Sequence, residues 1–180
     1  MSKTNVVLLP LTEDDRVQFI RDNQWAFKYG SIEEFGLRND QFEEGEEIIS
    51  RKTIETSIDQ GEAYRIICDG EKAGGVVIHT EGDKGELDLL FTLPNVHSKG
   101  VGYAAWCEIE KMHPEVRVWE TLTPYFETRN IHFYVNKCGF HIVEFFNPFH
   151  KGSKYPDEEQ HGEEDDGRGL DFLFRKEIKE

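Results

Sequence analysis

A mixed α/β sheet of about seven strands with helices on both faces is the fold class that the sequence predicts. Three observations carry it. The hydrophobic period alternates between helical and strand spacing along the chain. Gly and Pro punctuate most of the changes. The segments read strand, two helices, three strands, helix, strand, helix, two strands. The 180 residues suit one domain spanning 1–180, and 37% hydrophobic and 12% aromatic content supplies enough apolar bulk for one sizeable core.

Val6 to Leu9 is a short apolar run stopped by Pro10, and Thr12 before Glu13, Asp14 and Asp15 reads as an N-cap with an acidic first turn. Phe19, Ile20, Trp25, Ala26 and Phe27 continue a helical stripe, after which Gly30 to Gly45 is polar and rich in turn formers. Ile48, Ile49, Ile54 and Ile58 predict a second amphipathic helix, ended by Gly61 in a left-handed C-cap. Tyr64 to Cys68, Gly75 to Thr80 and Glu86 to Leu93 read as a three-stranded meander turning at Asp69-Gly70 and at Gly82 to Gly85. Pro94 ends the third strand. A helix then runs from Gly100 to about His113, with Val101, Ala105, Ile109 and Met112 on one face, and Pro114 stops it. Val116 to Leu122 is a strand, Arg129 to Cys138 a helix, and Phe140 to Phe146 and Leu170 to Ile178 two further strands. Between these last two, seven acids from Asp157 to Asp166 predict a mobile surface loop over about 151–168.

Charge and composition exclude several functions. With 36 acids against 21 bases the net charge is −15, and nucleic-acid binding, which draws on Lys and Arg displacing counterions, is not expected. No apolar run approaches the roughly 20 residues that cross a bilayer, so no membrane partner and a cytoplasmic location are expected. The odd set Cys68, Cys107 and Cys138 reads as core-filling thiols rather than disulfides. His132, His141, His150 and His161 lack metal-ligand spacing, and no metal is expected.

The chemistry-bearing stretch runs from Thr92 to Ala105. A strand end, a tight loop and a helix N-terminus bring unpaired N–H groups and the positive end of a helix dipole together, a place suited to a pyrophosphate. Gly100 and Gly102 allow the backbone to approach phosphate oxygens. A P-loop is excluded because Lys99 precedes its glycine. A dinucleotide fingerprint is disfavoured because Ala105 stands where a third glycine is needed and the preceding strands form a meander.

His97, Ser98, Lys99, Gly100, Val101 and Gly102 resemble the phosphate loop of the GNAT superfamily of N-acetyltransferases, with His97 in place of that loop's Gln or Arg. Pro94 and the block Asn130, Tyr134, Gly139 and Phe140 extend the resemblance, as does the order of elements from Val6 to Ile178. Tyr134 lies five residues before Gly139, against four in many relatives, so the turn Asn136 to Cys138 must absorb one residue. The resemblance implies a GNAT-like fold with acetyl-CoA, as co-substrate, in a cleft where Glu86 to Leu93 splays from Val116 to Leu122. It also implies backbone contacts at Thr92 and Leu93, a phosphate site from His97 to Tyr103, and a pantetheine contact from Asn130. A main-chain N–H near Leu93 would stabilise the oxyanion, and Tyr134 would protonate the departing thiolate.

An alkylammonium is only about one part in a thousand neutral at pH 7, so amine attack needs a base. Glu86 and Asp88 share one strand face, and Glu86 occupies the place where histone-modifying relatives keep their glutamate. Glu120 on the next strand is a third carboxylate. The ten acids against three bases from Glu33 to Glu62 would draw a cationic amine. The expected activity is N-acetyl transfer to a primary amine of a small molecule or peptide by direct attack, without an acyl-enzyme. A homodimer is an open option for assembly, and a non-catalytic acyl-CoA binding module is the rival reading.

Overall fold

A computed structural model describes residues 4–35, 49–97, 99–151 and 170–179. Ser98 and the acidic 152–169 segment, including His161, lie outside these described residues. The strands β1 (Val6–Pro10), β2 (Glu62–Cys68), β3 (Glu71–Glu81), β4 (Lys84–Thr92), β5 (Val118–Pro124), β6 (His141–Phe146) and β7 (Asp171–Glu177) form a seven-stranded sheet in the order β1-β2-β3-β4-β5-β7-β6. Neighbours are antiparallel except β4 and β5, which are parallel.

Helices cover both faces, as the alternating periods predict. On one face, α1 (Glu13–Phe35) and α2 (Arg51–Gln60) bury Phe19, Ile20 and Ile54 against Val77, Leu89, Phe91 and Leu93. On the other, α3 (Val101–Met112) buries Ala105, Trp106 and Ile109 against Ile66, Val76, Ile78, Leu87 and Trp119. Trp106 and Trp119 meet edge to face, with centroids 5.2 Å apart.

Several features follow from packing rather than from the local pattern. Leu87 faces the α3 core while Leu89, Phe91 and Leu93 face α1 and α2, because the β3–β4 register slips between Val77 and Ile78 and leaves Asp88 as an extra residue. A bulge of this kind resets the alternation of faces. α1 continues past Gly30 to Phe35, since one helical glycine costs only about 1 kcal/mol. Ser50 caps α2, its Oγ accepting from the Thr53 N–H at 3.1 Å. Gly61 is extended (φ −116°) rather than left-handed, and glycine is needed there because a Cβ would sit 2.6 Å from the Ile78 carbonyl oxygen.

α1 is anchored to the sheet by one buried cation. Arg65 on β2 donates through Nε to Asp15 at 2.8 Å and through Nη1 to Asp22 at 2.8 Å, and its guanidinium lies 5.2 Å from the Phe19 ring centroid. Lys72 also reaches Asp15, at 2.6 Å. Arg65 holds the Asp15 carboxyl below its ordinary range, with Lys72 assisting against the opposing effect of burial.

Candidate functional site

The sheet forks at its parallel pair. β4 and β5 pair only from Lys84 with Val118 to Glu86 with Glu120, and beyond that point the strands part, as the resemblance implied. The Thr121 hydroxyl donates to the Leu87 carbonyl at 2.9 Å, one step past the last pair, and so satisfies a group at the opening of the fork. The opening holds a cleft of about 220 Å³. Its wall takes Ala26, Phe27, Gly30 and Ser31 from α1 on one face and Gly102, Phe133 and Tyr134 from the other, with Leu90, Phe91 and Thr92 between them. The cleft therefore passes through the sheet.

Main-chain polarity within the fork follows from register. The Leu93 N–H donates to the Ala73 carbonyl at 2.8 Å, so Leu93 does not itself supply the oxyanion donor expected of that region. Alternation along an antiparallel pair then directs the polar groups of Leu90 and Thr92 away from β3, toward the parted β5. Leu93 is buried in the α1/α2 core, and Thr92 lines the cleft.

Beyond β4, Pro94–Val96 forms a short 3-10 turn that delivers the chain to α3. Gly100 is the N-cap with φ +73°, a left-handed conformation for which glycine is the usual choice. A Cβ at Gly102 would meet Phe133 and Thr92 at ordinary distances of 3.5 to 3.6 Å, so its missing side chain opens the cleft wall rather than relieving a clash. Val101 is fully buried and contributes only main chain to the loop surface. Tyr103 is exposed. The exposed Lys99 is tied down through its carbonyl, which accepts from Thr4 Oγ1 at 3.0 Å. His97 turns inward rather than outward: Nε2 lies 3.2 Å from the Thr92 carbonyl oxygen, and its ring packs edge-on against Tyr29. A carbonyl only accepts, so Nε2 carries a proton.

α4 (Thr128–His132) is followed by a π-helical turn, Phe133–Cys138. This wide turn absorbs the residue counted between Tyr134 and Gly139, and the Tyr134 carbonyl accepts from the N–H groups of Gly139 and Phe140. Asn130 and Tyr134 both line the cleft, as their spacing predicts. Tyr134 is buried against Phe133, Phe140 and Phe174. Burial pushes its phenol well above the usual value, with Cys138 and Glu127 adding to this and Thr121 acting in the opposite direction. The group is a phenol at neutral pH. Asn130 Nδ2 donates to Glu127 Oε2. A carboxylate can face only the NH₂ end of that amide, so Glu127 fixes the amide's orientation.

The carboxylates read from sequence lie elsewhere. Glu86 is at the closed end of the fork and is not among the residues lining the cleft. Asp88 accepts from Ser57 Oγ at 3.0 Å beneath α2. Glu120 Oε1 accepts from Arg175 Nε at 2.9 Å and Nη2 at 2.7 Å. The carboxylate in the cleft wall is Glu127, which sequence reasoning missed although its place three residues before Asn130 was a readable signal. Thr121 and the α1 wall were also missed, and nothing in their local sequence marks them. Cys138 is buried, with a thiol pushed up to about 12 by burial, and Cys68 is half-buried and likewise raised. Neither is a ready nucleophile.

Among the described residues no helix is long and apolar enough to cross a membrane. The chain is 41% identical over 169 residues, covering 92% of its length and 87% of the relative's, to the uncharacterized protein YrkN of Bacillus subtilis (strain 168). Its fold resembles the PaiA N-acetyltransferase of Thermoplasma acidophilum solved with coenzyme A, with a TM-score of 0.64, 15% identity, and 97% and 99% of the two chains covered. It also resembles a GNAT family acetyltransferase of Elizabethkingia anophelis solved with acetyl-CoA bound, with a TM-score of 0.63, 15% identity, and 98% and 100% covered. Residues 21–140 match the model of the acetyltransferase (GNAT) family, and the chain, with its forked seven-stranded sheet, belongs to that family.

Proposed function

We propose that this protein is an N-acetyltransferase that moves the acetyl group of acetyl-CoA to a primary amine of a small molecule or peptide. The observation that carries the reading is the passage through the sheet, with a helix N-terminus and Tyr134 on one side and the α1 wall on the other. Cofactor and acceptor can then meet from opposite faces, which suits direct attack in a ternary complex.

The main-chain N–H groups at the start of α3, from Val101 to Tyr103, hold the diphosphate, with Gly100 turning the chain into the helix. His97 supports this loop from within by holding the Thr92 carbonyl. Pantetheine takes the place of the missing β5 neighbour, pairing with the polar groups of Leu90 and Thr92. The Asn130 carbonyl oxygen, turned outward by Glu127, accepts from one of its amide N–H groups. The Leu90 N–H supplies the donor to the developing oxyanion. Tyr134 gives its proton to the departing thiolate. Glu127, the carboxylate of the cleft wall, attracts the ammonium and receives its proton, the part first assigned to Glu86.

The test is release of CoA thiol from acetyl-CoA across polyamines, aminoglycosides, amino acids and peptide N-termini. Amine-dependent release with formation of the N-acetyl product supports the reading. Tight binding of acetyl-CoA with no release for any amine would overturn it in favour of a binding module.

A further inference from the structure

The cleft wall has a chemistry that selects among amines. Phe27 and Phe91 line it on the α1 side, and Phe126 joins them from the turn after β5. Among the described lining residues Glu127 is the one carboxylate and Arg129 the one guanidinium, and the part of α1 in the wall carries no charge. A first ammonium held at Glu127 leaves any second ammonium near Arg129, a like charge two residues on. Gly30 adds an independent observation. It stands inside α1, and a Cβ built on it meets no atom within 4 Å. Glycine is the poorest helix former after proline, so neither packing nor helix formation accounts for it. Its effect is on the cleft, because a side chain at this place would lean back over the turn carrying Ala26 and Phe27 and take up room beside the fork.

We infer that the acceptor is a monoamine with an aromatic tail, its ammonium at Glu127 and its ring against Phe27 and Phe126 in the room that Gly30 leaves. The inference rests on the N-acetyltransferase reading and deepens it by naming the acceptor class. A flat ring among aromatic side chains gains from buried area and from edge-to-face contact, which a polyamine or a sugar-borne amine forgoes. In the transfer the ammonium gives one proton to Glu127, and the nitrogen bonds to the acetyl carbon as the C–S bond breaks. The thiolate takes the Tyr134 proton, a second proton from the nitrogen restores the phenol through solvent, and Glu127 passes its own to solvent. The products are the N-acetyl amine, the CoA thiol and one proton.

The test is kcat/KM in thiol release at saturating acetyl-CoA for 2-phenylethylamine, 3-phenylpropylamine, butylamine, 1,4-diaminobutane and spermidine. The better of the two aryl amines should exceed each of the others at least about tenfold, as for burial of a ring and more than the small differences in amine basicity supply. A smaller margin over any of them overturns the inference. Gly30→Leu should raise KM for that aryl amine at least about tenfold, with CoA affinity unchanged within twofold by calorimetry and a Tm equal to or above that of the wild type. An unchanged KM overturns the inference, and so does a loss of CoA affinity equal to the rise in KM, which would put the room on the cofactor's side. A Tm lowered by more than about 4 °C overturns it too, because packing would then account for the glycine. Thiol release that is faster with some other amine than with both aryl amines fails the inference alone. No release with any amine while acetyl-CoA binds fails the N-acetyltransferase reading itself.

Discussion

Gly100 lends itself to a worked perturbation because its surroundings separate backbone strain from charge. Its φ is +73° and a Cβ built there meets no atom within 4 Å. Gly100→Ala therefore costs only the left-handed backbone, about 1 kcal/mol, which lowers Tm by about 2 to 4 °C in a chain of this size. Gly100→Asp carries the same strain, but its carboxylate gains somewhat from the α3 N-terminus, so its stability should equal or exceed that of the alanine variant. Toward CoA the order reverses. A carboxylate about 5 Å from a diphosphate is opposed by about 1 to 3 kcal/mol per phosphate charge for effective dielectric constants between those of water and a protein surface. The aspartate variant should bind CoA at least about tenfold more weakly than the alanine variant. Isothermal titration at low salt measures the affinities, and thermal unfolding without ligand measures the strain. Equal affinity of the alanine and aspartate variants would refute the placement of the diphosphate at this helix start.

Tyr134→Phe should lower kcat about 100-fold while leaving CoA affinity within twofold, measured by thiol release and calorimetry. An equal loss in both would mean that the phenol is a cofactor contact. Arg65→Met removes the cation between Asp15 and Asp22 and should cost about 3 kcal/mol at pH 7, seen as a Tm drop of about 6 to 12 °C. The Asp15 carboxyl is depressed in the folded protein, so its stabilising contribution is present above its unfolded value near 3.8 and fades as pH falls through its folded value. Urea unfolding against pH should show a shallower acid dependence in Arg65→Met than in the wild type. Ser50→Ala should destabilise by about 1 kcal/mol through loss of the α2 cap, with CoA affinity unchanged.

The order of elements was readable because periodicity changes at almost every boundary and each core face carries its own apolar stripe. The fork was anticipated on the strength of a family resemblance, and the phosphate loop on Gly100 and Gly102 in front of a helix. What escaped the sequence shares a physical cause, which is that it depends on pairs of residues distant along the chain. The bulge at Asp88 is a matter of register between two strands and decides which core Leu87 enters. Leu93 seemed an oxyanion donor until its N–H was placed on Ala73. The resemblance placed His97 at the start of the phosphate loop, and a carbonyl five residues earlier turns its side chain inward. Glu120 was a plausible base only while Arg175, 55 residues away, was not beside it. The π-helical turn was half legible: the count between Tyr134 and Gly139 required an extra residue to be absorbed, and only the fold shows that the whole of Phe133–Cys138 widens to take it.

The claim on which these readings depend is that CoA lies in the fork with its diphosphate on α3 and its pantetheine along β4. Titration of CoA into ¹⁵N-labelled protein, followed by backbone amide resonances, tests it most directly. The account predicts saturable shifts at Leu90, Thr92, Val101, Gly102 and Tyr103, larger than those along α2. Saturable shifts confined to α2, or to the outer strands β1 and β6, would contradict it.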